Sequence, residues 1–106
     1  MDRPGAAEMV QLYTVNGGKP SARIPLRRYE AVSEAVLEAL AKAGPEGLTL
    51  KELAVALAPL LPQWWFAEGW DTMWHVTGIK LHLEHLGQLE RVRVVPHRVR
   101  LADKRG

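Results

Sequence analysis

His75, His82 and His85 are the residues whose type and spacing could do chemistry, standing seven and three positions apart. On a helix, such spacings bring imidazoles together, and a neutral imidazole is both a common metal ligand and a proton carrier near neutral pH. A zinc site would need further ligands. The chain has no cysteine and no HExxH pattern, and Glu84 projects from another side of the same helix. The expectation is a solvated polar face, with no metal and no cofactor. Nucleophilic catalysis is equally poorly supplied. Ser21 and Ser33 lie in no nucleophile elbow, and neither paired carboxylates nor a GxxxxGK[ST] loop occurs at useful spacing. With nothing to tune a pKa or stabilise a developing charge, a non-enzyme is expected.

The elements that position these residues are marked by local signals. Val10 to Val15 is rich in strand-favouring residues, Asn16-Gly17-Gly18 suits a tight turn, and Ser21 to Ile24 supplies the return strand of a hairpin. A first helix from about Leu26 to Ala43 stacks Tyr29, Val32, Val36 and Leu40 into one apolar stripe and stops at Gly44-Pro45. A second starts at a capping box, Thr49-Leu50-Lys51-Glu52, with Leu48 and Leu53 as its hydrophobic staple; Pro59 and Pro62 end it. Leu50, Leu53, Leu57 and Leu60 form its buried face. A third runs from an Asp71 N-cap to Leu86, with Gly87 beyond it and Val76, Ile79, Leu83 and Leu86 as its core stripe. Two strands follow. Along Leu89 to Val95, Val92 and Val94 are expected to face the core and Arg91 and Arg93 the solvent. Along His97 to Leu101, Val99 and Leu101 face in, so all four arginines would share one surface with Arg98 and Arg100.

The 106 residues suit a single domain, and 47% hydrophobic with 25% charged residues is ordinary globular composition. The absence of cysteine excludes disulfides and agrees with a reducing compartment. Met1 to Glu8 lacks the apolar segment of a secretory signal, and Leu53 to Leu61 is too short to cross a bilayer, so a cytoplasmic protein without membrane contact is expected. The net charge of +2 is unevenly spread. From Gln88 onward six basic residues face two acidic ones, whereas the rest of the chain is slightly acidic. That positive field suits a phosphate backbone, although basic side chains also protect strand edges from pairing.

The segment Gln63 to Trp70 concentrates Trp64, Trp65, Phe66 and Trp70. These rings either fold back as a satellite core, form a subunit interface, or offer a stacking surface. No basic residue is interleaved, which is unlike a single-strand platform. On the third helix, Trp70, Trp74 and Leu81 project nearly opposite the core stripe, so either the hairpin or a second subunit is expected to cover them. Thr77, Lys80 and Glu84 then remain on one flank, with His75, Gly78 and His82 on the other, a thin set for reading bases.

The run Leu83-Glu84-His85-Leu86-Gly87-Gln88-Leu89-Glu90-Arg91-Val92, preceded by Gly47-Leu48-Thr49-Leu50-Lys51-Glu52-Leu53, resembles winged helix-turn-helix domains where the third helix leaves for the wing. The chain is also similar to small bacterial winged-helix proteins without assigned activity. The resemblance covers roughly Leu26 to Leu101 and departs at the long aromatic insertion, since a turn of three or four residues is usual there. It implies an α+β fold: a three-helix core with a C-terminal β-wing (26–101), plus an N-terminal β-hairpin (10–25), a flexible start (1–9) and a basic tail (102–106). By resemblance, the function implied is a dimeric DNA-binding transcriptional regulator contacting double-stranded DNA through Thr77, Lys80, Arg91, Arg93, His97, Arg98 and Arg100. The alternative is a non-catalytic protein-interaction or dimerisation module anchored by Trp64, Trp65, Phe66, Trp70, Trp74 and Leu81.

Overall fold

The computed structural model describes residues 8–15 and 18–102. Residues 1–7, Asn16-Gly17 of the expected turn, and 103–106 of the expected tail lie outside the described residues. The chain is α+β. A hairpin of β1 (Met9–Tyr13) and β2 (Pro20–Pro25) leads into α1 (Leu26–Ala43); then come β3 (Leu48–Thr49), α2 (Leu50–Leu57), α3 (Gln63–Ala67), α4 (Thr72–His85), β4 (Leu89–Val92) and β5 (Arg98–Leu101). The hairpin is one antiparallel sheet, and β3-β5-β4 forms a second with β5 in the middle. Among the described residues no helix is long and apolar enough to cross a membrane.

The helix ends follow the local signals. Thr49 Oγ1 accepts from the Glu52 amide at 3.1 Å and Glu52 Oε1 accepts from the Thr49 amide at 3.0 Å, closing the capping box. That amide bond, with Arg98 nearby, holds the Glu52 carboxyl below its usual pKa. Asp71 Oδ1 caps α4 by accepting from the Trp74 amide at 2.9 Å. At the other end Gly87 takes a φ of +78°. Its amide donates to Glu84 O while that of Gln88 reaches Leu83 O, the paired bonds of a Schellman turn. Because this turn ends α4 early, Leu86 is exposed rather than part of the core stripe.

One core joins Val32, Val36 and Leu40 of α1, Leu53 and Leu57 of α2, and Val76, Ile79 and Leu83 of α4, with Leu12 and Ile24 closing it from the hairpin and Leu89 and Val99 from the second sheet. Leu50 and Leu60 are only partly buried. Trp65 belongs to this same core, not to a satellite. Pro62 starts α3, a turn too short for its period to be visible in the sequence.

Strands β4 and β5 depart from the expected phase. Leu89 is opposite Leu101, Arg91 opposite Val99 and Val92 opposite Arg98, and opposed residues share a face. Leu89 and Val99 are buried, so Arg91 lies on the helix-facing side and Val92 on the other, the reverse of the expectation. β4 stops at Val92, leaving Val94 and Val95 exposed, and Leu101 is exposed at the sheet margin. The four arginines do not share one surface.

Candidate binding surfaces around helix α4

Helix α4 touches a different neighbour on each side. On one, the hairpin lies across it: Leu12 Cδ1 is 3.4 Å from where a Cβ on Gly78 would sit. A larger residue at 78 would push this strand away. The amide of Tyr13 donates to Nδ1 of His82 at 3.1 Å, which requires that nitrogen to be unprotonated. Tyr13 also stacks on the His82 and His85 rings at 6.0 and 5.3 Å, and Tyr29 meets His82 edge-on at 5.7 Å. His82 is buried, contrary to the expected solvated face, because β1 covers it.

His75, also buried, sits among tryptophans: Trp65 and Trp74 each present an edge contact at 4.8 Å and Trp70 one at 6.2 Å. Its Nδ1 is 2.7 Å from Asp71 O and must donate there, while Nε2 accepts from Arg28 Nη1 at 3.3 Å. The Arg28 guanidinium covers Trp70 and that of Arg27 covers Trp64, both at 3.6 Å. Arg27 also pairs with Glu68 at 3.0 Å, and the Trp70 indole N–H donates to Glu68 Oε1. Basic residues thus do join the aromatic cluster, arriving from α1.

Both histidines are held neutral. Burial pushes His75 below its ordinary pKa of 6.5, and the nearby Arg28 charge adds to this. Burial likewise lowers His82, with His85 contributing. For a base lowered on folding, stability is complete above the unfolded pKa and falls as pH drops from there through the folded value, because the unfolded chain takes up protons first. Melting temperature is therefore expected to decline as the pH is lowered through 6.5 and below. In His82→Gln, where an amide oxygen replaces the acceptor, the decline should be shallower; an unchanged slope would dissociate His82 from it.

The remaining arc of α4 has two halves. Near its start, Met73 is 43% and Trp74 51% exposed. With Thr77, Leu81 and the hairpin residues Leu12 and Ala22 they line an apolar groove of about 430 Å³. Thr77 donates to its own helix at Met73 O, 2.8 Å away. Toward its end, Lys80, Arg91, His97 and Arg98 line a smaller cavity of about 220 Å³ beside Leu50 of α2. Glu84 Oε2 accepts from Lys80 Nζ and Oε1 from Arg91 Nε at 2.6 Å. The Lys80 and Glu84 side chains are 13% and 4% exposed.

Four of the seven residues assigned to DNA by resemblance thus meet at one cavity, while Thr77 lies in the groove. Arg98 and Arg100, expected to be free for phosphate, brace strand β5 instead. Arg98 donates to Glu46 O and Gly47 O at 3.0 Å and pairs with Glu52 at 3.1 Å; Arg100 reaches Pro45 O at 3.2 Å and Glu90 at 2.9 Å. Arg93 and His97 are exposed near the tip. Of the aromatic set, Trp65 is core, Trp64 and Trp70 are half-buried under arginines, and Phe66 and Trp74 are exposed. Sequence reasoning missed Met73 and the partnership of Arg27 and Arg28 with the tryptophans; Met73 next to Trp74 was the available signal.

Among the described residues, no group of three or more histidine, aspartate or glutamate side chains is placed to hold a metal ion. No curated protein and no solved structure matches the chain. A family model does, over residues 9–99, which spans β1 to the middle of β5. The chain belongs to DUF6958, a family of unknown function.

Proposed function

We propose that the chain is a winged-helix module that binds a partner protein through the exposed face of α4, taking a short apolar segment into the groove beside the hairpin. In this reading α1, α2 and α4 are the three helices, β3 is the small first strand, and β4-β5 is the wing. Support for the winged-helix assignment comes from the element order and the β3-β5-β4 sheet. The observation that carries the function is the chemistry of the outward arc of α4. Where a DNA reader inserts polar side chains into the major groove, this helix offers Met73, Trp74 and Leu81, with its flank under Leu12. Exposed tryptophan and methionine beside a concavity are typical anchors of protein recognition.

DNA binding is the second reading, favoured by Arg93 and His97 at the exposed tip of a wing with excess positive charge. Phosphate contacts alone would give salt-sensitive binding with little sequence preference.

Random peptides selected on the wild-type protein separate the two. Peptides binding the groove should lose affinity by about 30-fold or more with Trp74→Ser, and keep it with Arg93→Gln. Sedimentation of the free protein tells whether a second copy uses the same face. If no peptide depends on Trp74, while duplex DNA binds with a steep salt dependence removed by Arg93→Gln, protein recognition gives way to DNA binding.

A further inference from the structure

The small cavity between α2, α4 and the β4-β5 pair gathers basic residues from separate elements. Lys80, Arg91, His97 and Arg98 line it; Arg98 directs its guanidinium to Glu46 O, Gly47 O and Glu52, so the positive charge offered to the cavity is that of Lys80 and Arg91. Glu84 is the carboxylate facing both Lys80 and Arg91. Glu52, paired with Arg98, is half exposed at the cap of α2. Glu84 also stands in the last turn of α4, where the helix dipole disfavours a negative charge, so both cations are needed to hold it. Lys80 is itself largely withdrawn from water, and a desolvated ammonium requires strong anionic partners. Arg91 engages Glu84 through Nε, which leaves the terminal nitrogens of its planar fork for a bidentate acceptor.

We propose that this cavity is a phosphate-group site, in which Lys80 and Arg91 hold the oxyanion and Glu84 is the internal counter-ion that it must outcompete. At about 220 Å³ the space lies below the usual range for drug-sized ligands and suits a phosphate with a small substituent. The cations project from α4 and β4, elements fixed by the core, so the site is preorganised. A free phosphate or monoester and the diester of a nucleic-acid backbone share the required chemistry. The site is separate from the apolar groove, and Trp74→Ser should leave it intact, so its fate is independent of the protein-binding reading.

The test is a titration of the full chain with inorganic phosphate and, separately, with a short DNA duplex, followed by amide and side-chain NMR shifts. Saturable shifts are expected around Lys80 and Arg91. Arg91→Gln, at a partly exposed position, should weaken binding about tenfold, whereas Glu84→Gln should tighten it about tenfold by removing the competing charge. Lys42→Gln, on α1, should change nothing. Binding of phosphate identifies the free ligand as a sufficient source; binding of duplex alone, with the same dependence on Arg91 and Glu84, identifies the backbone diester. The proposal is overturned if neither probe gives saturable shifts at these residues in wild type and Glu84→Gln, or if Arg91→Gln and Lys42→Gln weaken binding equally. Weaker binding by a folded Glu84→Gln would also overturn the counter-ion role.

Discussion

Trp65→Ala should destabilise the protein by about 3–5 kcal/mol, a large share of the roughly 5–15 kcal/mol typical of a domain. Trp65 has no exposed surface. Its indole N–H donates to Thr72 Oγ1 at 2.9 Å, and its ring is the edge partner of His75. Alanine would leave a cavity bounded by α1, α3 and α4 and remove the hydrogen bond that joins α3 to the first turn of α4. The surroundings cannot easily collapse into it, because Trp64 and Trp70 are held under Arg27 and Arg28. Trp65→Phe retains much of the volume and should cost less. Urea unfolding monitored by circular dichroism measures both variants. A loss below about 1 kcal/mol for alanine would mean that the ring is peripheral.

Gly47→Ala should be of similar size for a different reason. Gly47 has a φ of +69°, and a Cβ there would lie 2.2 Å from the carbonyl oxygen of Val99 and 2.8 Å from its carbon. Both are backbone atoms of β5, so no side chain can rotate away. Relief requires moving β3 from β5, breaking the Leu48 to Val99 pairing and the bond from Arg98 to Gly47 O. About 3–5 kcal/mol is expected. Gly44 supplies the control, since it has a similar φ of +75° but nothing near its would-be Cβ. With a ψ of −161° at this position, Gly44→Ala should carry only the backbone penalty of about 1–3 kcal/mol. Equal losses in the two variants, read from the same urea midpoints, would show that the close approach contributes nothing.

These positions also show which features were legible in the sequence. Capping at Thr49 and Asp71 and the stop at Gly87 depend on neighbours within four or five residues, so their chemistry is readable from adjacent letters. The apolar stripe of α1 was equally plain, because that helix buries one face. Helix α4 buries more than one face, and its histidines have partners supplied by β1 and α1, which periodicity does not identify. The phase of β4 was misjudged because the valines at 92 and 94 suggested one alternation, while burial of Leu89 and the carboxylate of Glu84 impose the other. Lys80, Arg91, His97 and Arg98 were identified as basic residues; that they surround one cavity depends on how β5 pairs with both β3 and β4.

The bond from Tyr13 to His82 joins residues 69 positions apart. During translation the hairpin leaves the ribosome well before the helix that receives it is made. Contacts separated so far along the chain close late. The hairpin is therefore late to dock, and until it does Leu12, Ile24 and the histidine side of α4 must face water together.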